Sequence, residues 1–226
     1  MPISNFVNIA NTCINLSYWP SHFKMSTSII ILKPNKAAYD SSKIFQPIVL
    51  FNTLGKFIKK VISERLQTQS ISSNFVHSNQ LGGLKQHSTT NAGLFLTHLI
   101  YTGWVTGLYM STLAFDIAQF FPSLNHHLLS LILNKACFDL TISSFFSNYL
   151  IDRKIWYVWN NFISLSFRAD MSVSQGSALS PILSTLYITP IFHISEKRSK
   201  NLLPNIPISF HSFMYDGLFY FPGKKL

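Results

Sequence analysis

Two aspartates stand where side chains could do chemistry. Asp116 lies in STLAFDIAQFFPSLNH, residues 111–126, behind the alternating apolar residues Leu113 and Phe115. Such alternation predicts a half-buried strand. Asp216 lies in SFMYDGLFYF, between two apolar runs. A carboxylate at the end of a strand is costly to bury without a partner or a metal ion. The plainer alternative for Asp116 is a surface residue at a strand-to-turn corner, and Asp216 followed by Gly217 is a strong hairpin signal that needs no chemistry to explain it. Carboxylates are scarce. The chain holds eight: Asp40, Glu64, Asp116, Asp139, Asp152, Asp170, Glu196 and Asp216, and a metal site built of them must draw on that set.

The same scarcity sets the charge. The formal net charge is +10 although only 12% of residues are charged. A pI near 9.7 favours a polyanionic partner, either nucleic acid or an anionic membrane. The chain of 226 residues is 47% hydrophobic and carries 20 Phe, enough for a sizeable core in one domain or two small subdomains. Cys13 and Cys137 make neither a disulfide framework nor a zinc site, which fits an intracellular compartment. No basic stretch precedes an apolar run at the N-terminus, so no signal peptide is expected. From Ala92 to Phe115 the chain is mostly apolar. Thr97, His98, Thr102, Thr106, Gly103 and Gly107 interrupt it, and a membrane span is not expected.

The elements that must position the aspartates follow from periodicity and turn residues. Residues 1–22 show no clear period. STSIIIL, residues 26–32, predicts a strand closed by the turn Lys33-Pro34-Asn35-Lys36, and residues 45–49 a second extended piece. Leu54, Phe57, Ile58, Val61, Ile62 and Leu66 predict one apolar helix face. Lys56, Lys59, Lys60, Glu64 and Arg65 form its solvent side, with Lys60 and Glu64 at pairing distance. Those lysines are either a solvated face or phosphate contacts. Ser88-Thr89-Thr90 can cap a helix from Asn91 to about Tyr101. Leu124, Leu128, Leu129, Ile132, Leu133 and Ala136 predict a helix after Asp116, and residues 138–150 another. A hairpin is expected between Trp156 and Phe167. Gln175-Gly176 opens an apolar helix through Ile191, an entry that can approach a phosphate closely.

The order of these pieces resembles the reverse transcriptase domain of non-LTR, LINE-like retrotransposons. ILKPNK, FQPIVLFNTLGKFIKKVISERL, NQLGGLKQHSTTNA, FDIAQFFPSLNH, SQGSALSPILSTLYI and SFMYDGLFYF look like successive family motifs from about Trp19 to Phe221. The resemblance implies an α+β polymerase right hand, with fingers and a partial palm whose small antiparallel sheet is backed by helices. The expected boundaries are 1–22 for an N-terminal segment, 23–110 for fingers and 111–226 for the partial palm, with an insertion-like helix and hairpin at 139–170. Thumb and endonuclease regions of a parent polyprotein would lie outside this chain.

The resemblance also implies roles. Asp116 and Asp216 would be catalytic and would ligate two Mg2+ ions. Tyr215 would stand where the family has its metal-binding aspartate, so polymerase activity is expected to be impaired. Phe121 would be the aromatic gate beside a deoxynucleotide triphosphate, with Gln175, Gly176, Lys56 and Gln46 in the nucleotide pocket. Lys33, Lys36, Lys59 and Lys60 would meet the RNA template and DNA primer. Gln46 and His87 depart from family arginines, and Ser174 from a common proline. Localisation would be nuclear. The rival readings are an inert remnant that still binds RNA or RNA–DNA hybrid, a small membrane protein, and a decayed chain without function.

Overall fold

A computed structural model describes residues 3–35, 40–41, 44–136, 138, 140–171, 173–174, 176–202, 209–214 and 216–223. In chain order the elements are α1 (Ile3–Asn15), β1 (Met25–Leu32), β2 (Phe45–Leu50), α2 (Thr53–Ser72), α3 (Thr89–Val105), β3 (Tyr109–Asp116), α4 (Phe120–Ser123), α5 (His126–Lys135), α6 (Leu140–Leu150), β4 (Lys154–Trp159), β5 (Phe162–Ile163), β6 (Phe167–Arg168), α7 (Ser180–Leu202), β7 (Ser209–Phe213) and β8 (Asp216–Gly223). They divide into two compact units, each drawn from two stretches: residues 1–66 with 121–180, and residues 67–120 with 181–226.

The first unit carries a five-stranded sheet in the order β2-β1-β4-β5, with β6 also paired to β4. β1 and β2 run antiparallel with Ile31 opposite Gln46, and β1 and β4 run parallel. The core of this unit is aromatic. Trp19, fully buried, meets Phe145 and Tyr149 edge-on at 5.6 and 5.7 Å. Its backbone N–H donates to Asn148 Oδ1 at 2.8 Å. Residues 1–22, for which no element is expected from the sequence, contain α1, whose inner edge buries Cys13 and Ile14.

The predicted helix is present as α2, but its buried face is rotated. Ile58, Ile62 and Leu66 go inside, while Phe57 and Val61 are 59% and 46% exposed. Lys59, expected on the solvent side as a nucleic-acid contact, is instead 1% exposed. Its ammonium lies 3.6 Å from the centroid of the Phe51 ring and 5.6 and 5.5 Å from those of Trp19 and Tyr149. An aromatic box can hold a desolvated cation through ring quadrupoles, which is how α2 accommodates a lysine on its buried side. Burial lowers the Lys59 pKa. The Tyr149 phenol is pushed up by its own burial, yet the charges of Lys59 and Arg153 and a bond to Ser177 bring it net below its ordinary value. Lys59→Ala should cost about 3 kcal/mol in urea unfolding, by cavity and lost ring contacts. Lys59→Met, which fills the same space without charge, should stay within about 1 kcal/mol of the parent.

The second unit carries the sheet β3-β8-β7, wholly antiparallel. Phe115, Phe210 and Phe219 stack on one face at 4.7–5.8 Å, and Phe192 of α7 packs 4.4 Å from Phe210. α3 is capped as expected, Ser88 Oγ accepting from the Asn91 N–H at 3.2 Å. The apolar stretch 92–115 is divided between α3 and β3. Among the described residues no helix is long and apolar enough to cross a membrane.

Candidate active site

β3 and β8 pair along their whole length, from Tyr109 opposite Gly223 to Asp116 opposite Asp216. The two aspartates are therefore direct cross-strand neighbours on one sheet. Residues so placed have their Cβ atoms about 4.5–5.5 Å apart and project from the same face. The alternation that sends Phe115 into the aromatic layer sends Asp116 to the opposite side. Both aspartates are exposed. The Asp216 pKa is raised, first by partial burial and then by the charge of Asp116. Like charges directly opposite on a sheet are unfavourable by themselves. A divalent cation would turn that repulsion into shared ligation, because hard oxygen donors are what such ions take.

Residue size lets the strands close at this point. A Cβ at Gly217, opposite Phe115, would lie 2.2 Å from the Phe115 ring. Gly217 is thus a packing requirement. Sequence reading placed Asp216-Gly217 in the hairpin turn; in the fold both belong to β8, with Phe213 opposite Asp216. Two residues separate the strands, and the first, Met214, has φ +60°. That left-handed conformation suits a two-residue hairpin, so the chain reverses from Met214, two residues before the Asp-Gly pair. Tyr215 lies outside the described residues, as do Lys36 and Gln175.

A second group of residues holds this hairpin, and sequence reading gave it no role. The loop before α3 runs beside β7. The Leu81 N–H donates to the Ser212 carbonyl at 2.8 Å, and Ser212 Oγ donates to Gln80 Oε1 at 2.6 Å. Asn79 Nδ2 donates to the Phe210 carbonyl at 3.1 Å. Thr185 Oγ1 of α7 donates to the Gly82 carbonyl at 3.0 Å. A Cβ on Gly82 would fall 2.1 Å from the Met214 backbone nitrogen. The signal was the Asn-Gln-x-Gly-Gly run, two amide side chains and two residues without side chains, which marks backbone meeting backbone. Gly82→Ala should therefore lose about 2 kcal/mol or more in urea unfolding. Gly93→Ala on α3, where a Cβ would meet nothing within 4 Å, should gain up to about 1 kcal/mol.

The remaining candidates belong to the first unit. Phe121 lines a cavity of about 500 Å³ with Pro47, Val49, Tyr157 and Ser174. Gly176 has φ +97°, and a Cβ there would come within 3.4 Å of the Val49 carbonyl. Gln46 is half-buried in β2, Lys56 is exposed on α2, and Lys33 lies just past the end of β1. Lys60 is exposed and pairs with Glu64 at 3.6 Å. Arg153, buried, donates to Ser174 Oγ.

A family model described as reverse transcriptase (RNA-dependent DNA polymerase) matches residues 31–225. The chain is 26% identical over 196 residues to the probable RNA-directed DNA polymerase from transposon BS of Drosophila melanogaster, covering 84% of this chain and 21% of that protein. It is 25% identical over 179 residues to the corresponding protein of transposon X-element from the same fly, covering 79% and 20%. The chain thus spans about a fifth of the length of these relatives. Among solved structures, apo telomerase from Candida tropicalis superposes with a TM-score of 0.59 at 12% identity, covering 98% of this chain and 44% of that one. Telomerase from Candida albicans, solved with a fragment of telomeric RNA, gives 0.59 at 10%, covering 98% and 43%. These neighbours carry the polymerase right-hand fold, here as fingers with part of a palm. The chain belongs to the reverse transcriptase (RNA-dependent DNA polymerase) family, as a domain of the non-LTR, LINE-like kind.

Proposed function

We propose that this chain is the fingers and partial palm of a retrotransposon RNA-directed DNA polymerase, weakened by Tyr215. The observation that carries the reading is the cross-strand pair Asp116–Asp216 at the end of the palm sheet. Two carboxylates at one sheet end fit Mg2+, which takes oxygen ligands and keeps water for the rest of its shell. Bound there, the metal would lower the pKa of a primer hydroxyl and steady the leaving pyrophosphate. Asp116 and Asp216 would hold the ion there. Tyr215 gives it nothing in return, since a phenol near pKa 10 is neutral at pH 7.

By the family resemblance, Phe121 is assigned to the sugar of an incoming deoxynucleotide, and Gln46, Lys56, Gln175 and Gly176 to nucleotide binding. Lys33, Lys36 and Lys60 meet template and primer phosphates. Lys59 has left that set, because its ammonium is enclosed by rings.

The experiment separates binding from chemistry. Fluorescence anisotropy of an RNA–DNA hybrid should report binding that weakens steeply with salt, as counterion release demands. Primer extension in Mg2+ by this chain joined to the downstream region of a relative should stay at background. Hybrid binding that is absent at low salt would overturn the nucleic-acid reading, and brisk extension would overturn the impairment.

A further inference from the structure

A metal-ligating cluster lies in the second unit, away from the two aspartates in the chain. His77 follows α2, while His193 and Glu196 stand three residues apart on α7, so the helix turns both to one face. Their ligand atoms all lie within 4.8 Å of one another. His77 Nε2 is 3.5 Å from Glu196 Oε2. The rings are held in place: Phe192 stacks on His77 at 5.2 Å and 19°, and His193 meets it edge-on at 5.5 Å. Lys200 takes the other Glu196 oxygen at 2.8 Å and so leaves Oε2 facing the histidines.

We propose that His77, His193 and Glu196 bind a first-row divalent cation, Zn2+ by ligand type. Two imidazoles and one carboxylate are a zinc donor set, with water completing the shell. Tetrahedral ligands about 2.1 Å from zinc stand about 3.4 Å apart. The His77–Glu196 pair already meets that spacing, and His193 closes the remainder by a side-chain adjustment of at most about 1.4 Å. His77 Nδ1 accepts the Asn79 N–H at 3.2 Å, which puts the ring proton on Nε2. Binding at Nε2 moves that proton to Nδ1 and gives up the Asn79 contact. The ion ties α7 to the loop that carries Asn79 and Gln80, the residues that hold β7. Its role is structural, and imidazole ligands set it apart from the Mg2+ position at Asp116 and Asp216.

The test uses the tag-free full chain carrying Asp116→Asn, so that the palm carboxylates do not contribute. Co2+ should give a one-to-one visible absorption band that Zn2+ removes and excess Mg2+ does not. His193→Ala and, separately, Glu196→Gln, each checked for an unchanged circular dichroism spectrum, should lose the band. Zn2+ affinity should fall by at least about a hundredfold, since losing a ligand costs no less than losing its outer support. Zn2+ should also raise the melting temperature of the parent and not of His193→Ala. No band, a band displaced by Mg2+, or a band that survives in both variants would overturn the proposal.

Discussion

Tyr215→Asp is expected to raise Mg2+-dependent primer extension about a thousandfold. A carboxylate about 4 Å from an ion, in a site closed around substrate with an effective dielectric near 20, contributes on the order of 4 kcal/mol. Expressed as a barrier, that is about three powers of ten in rate. The assay needs the downstream region of a relative, such as the transposon BS polymerase, joined to this chain, because the chain spans 21% of that protein. Single-turnover extension on an RNA template is the appropriate readout, since it reports the chemical step. A variant that stays at background would mean that Tyr215 is not what limits the centre. A parent that already extends would mean that Asp116 and Asp216 suffice.

Asp116→Asn should abolish that gain and, in the parent, cost about thirtyfold in Mn2+ affinity. The figure is smaller because both aspartates are exposed, and a doubly charged ion 4 Å from a carboxylate gains only about 2 kcal/mol in water-like surroundings. The same substitution should stabilise the metal-free protein at neutral pH. Asp216 has its pKa raised, by burial first and by Asp116 second. A carboxyl whose folded pKa is raised is favourable to folding below its ordinary value, and that contribution is lost as pH rises from there through the raised folded value. Removing the neighbouring charge lowers the Asp216 pKa and returns part of it. Melting temperature should therefore rise at pH 7 and change little near pH 3. Lower metal affinity with higher stability is the signature of a centre that holds repelling charges for a cation.

Much of the candidate centre was legible because it rests on local pattern. Alternation of Leu113, Phe115 and Asp116 marked β3, and apolar runs around Asp216 marked the hairpin. Their direct pairing was implied by family resemblance and not by spacing, since nothing local sets the register of strands a hundred residues apart. The errors share one physical cause, which is tertiary packing overriding local preference. Lys59 reads as surface by charge, yet three rings hold it inside. Phe57 and Val61 read as core, yet the buried stripe of α2 is centred on Ile58, Ile62 and Leu66. α1 escaped notice because asparagines sit among Ile3, Phe6, Val7, Ala10 and Ile14, although those apolar residues do keep helical spacing. Gly82 lets a loop meet the backbone of Met214, a long-range contact that no local pattern reports. The His77–His193–Glu196 cluster joins residues more than a hundred positions apart, so only folding reveals it.

The most direct measurement is a cycle of four proteins: parent, Tyr215→Asp, Asp116→Asn and the double variant. Mn2+ affinity is read by electron paramagnetic resonance, with His193→Ala in all four proteins so that the histidine cluster does not contribute. A shared centre predicts that Tyr215→Asp tightens Mn2+ binding by about thirtyfold or more, and that most of this gain disappears when Asp116 is also replaced. Equal gains with and without Asp116, or a parent that binds Mn2+ as tightly as Tyr215→Asp, would contradict it.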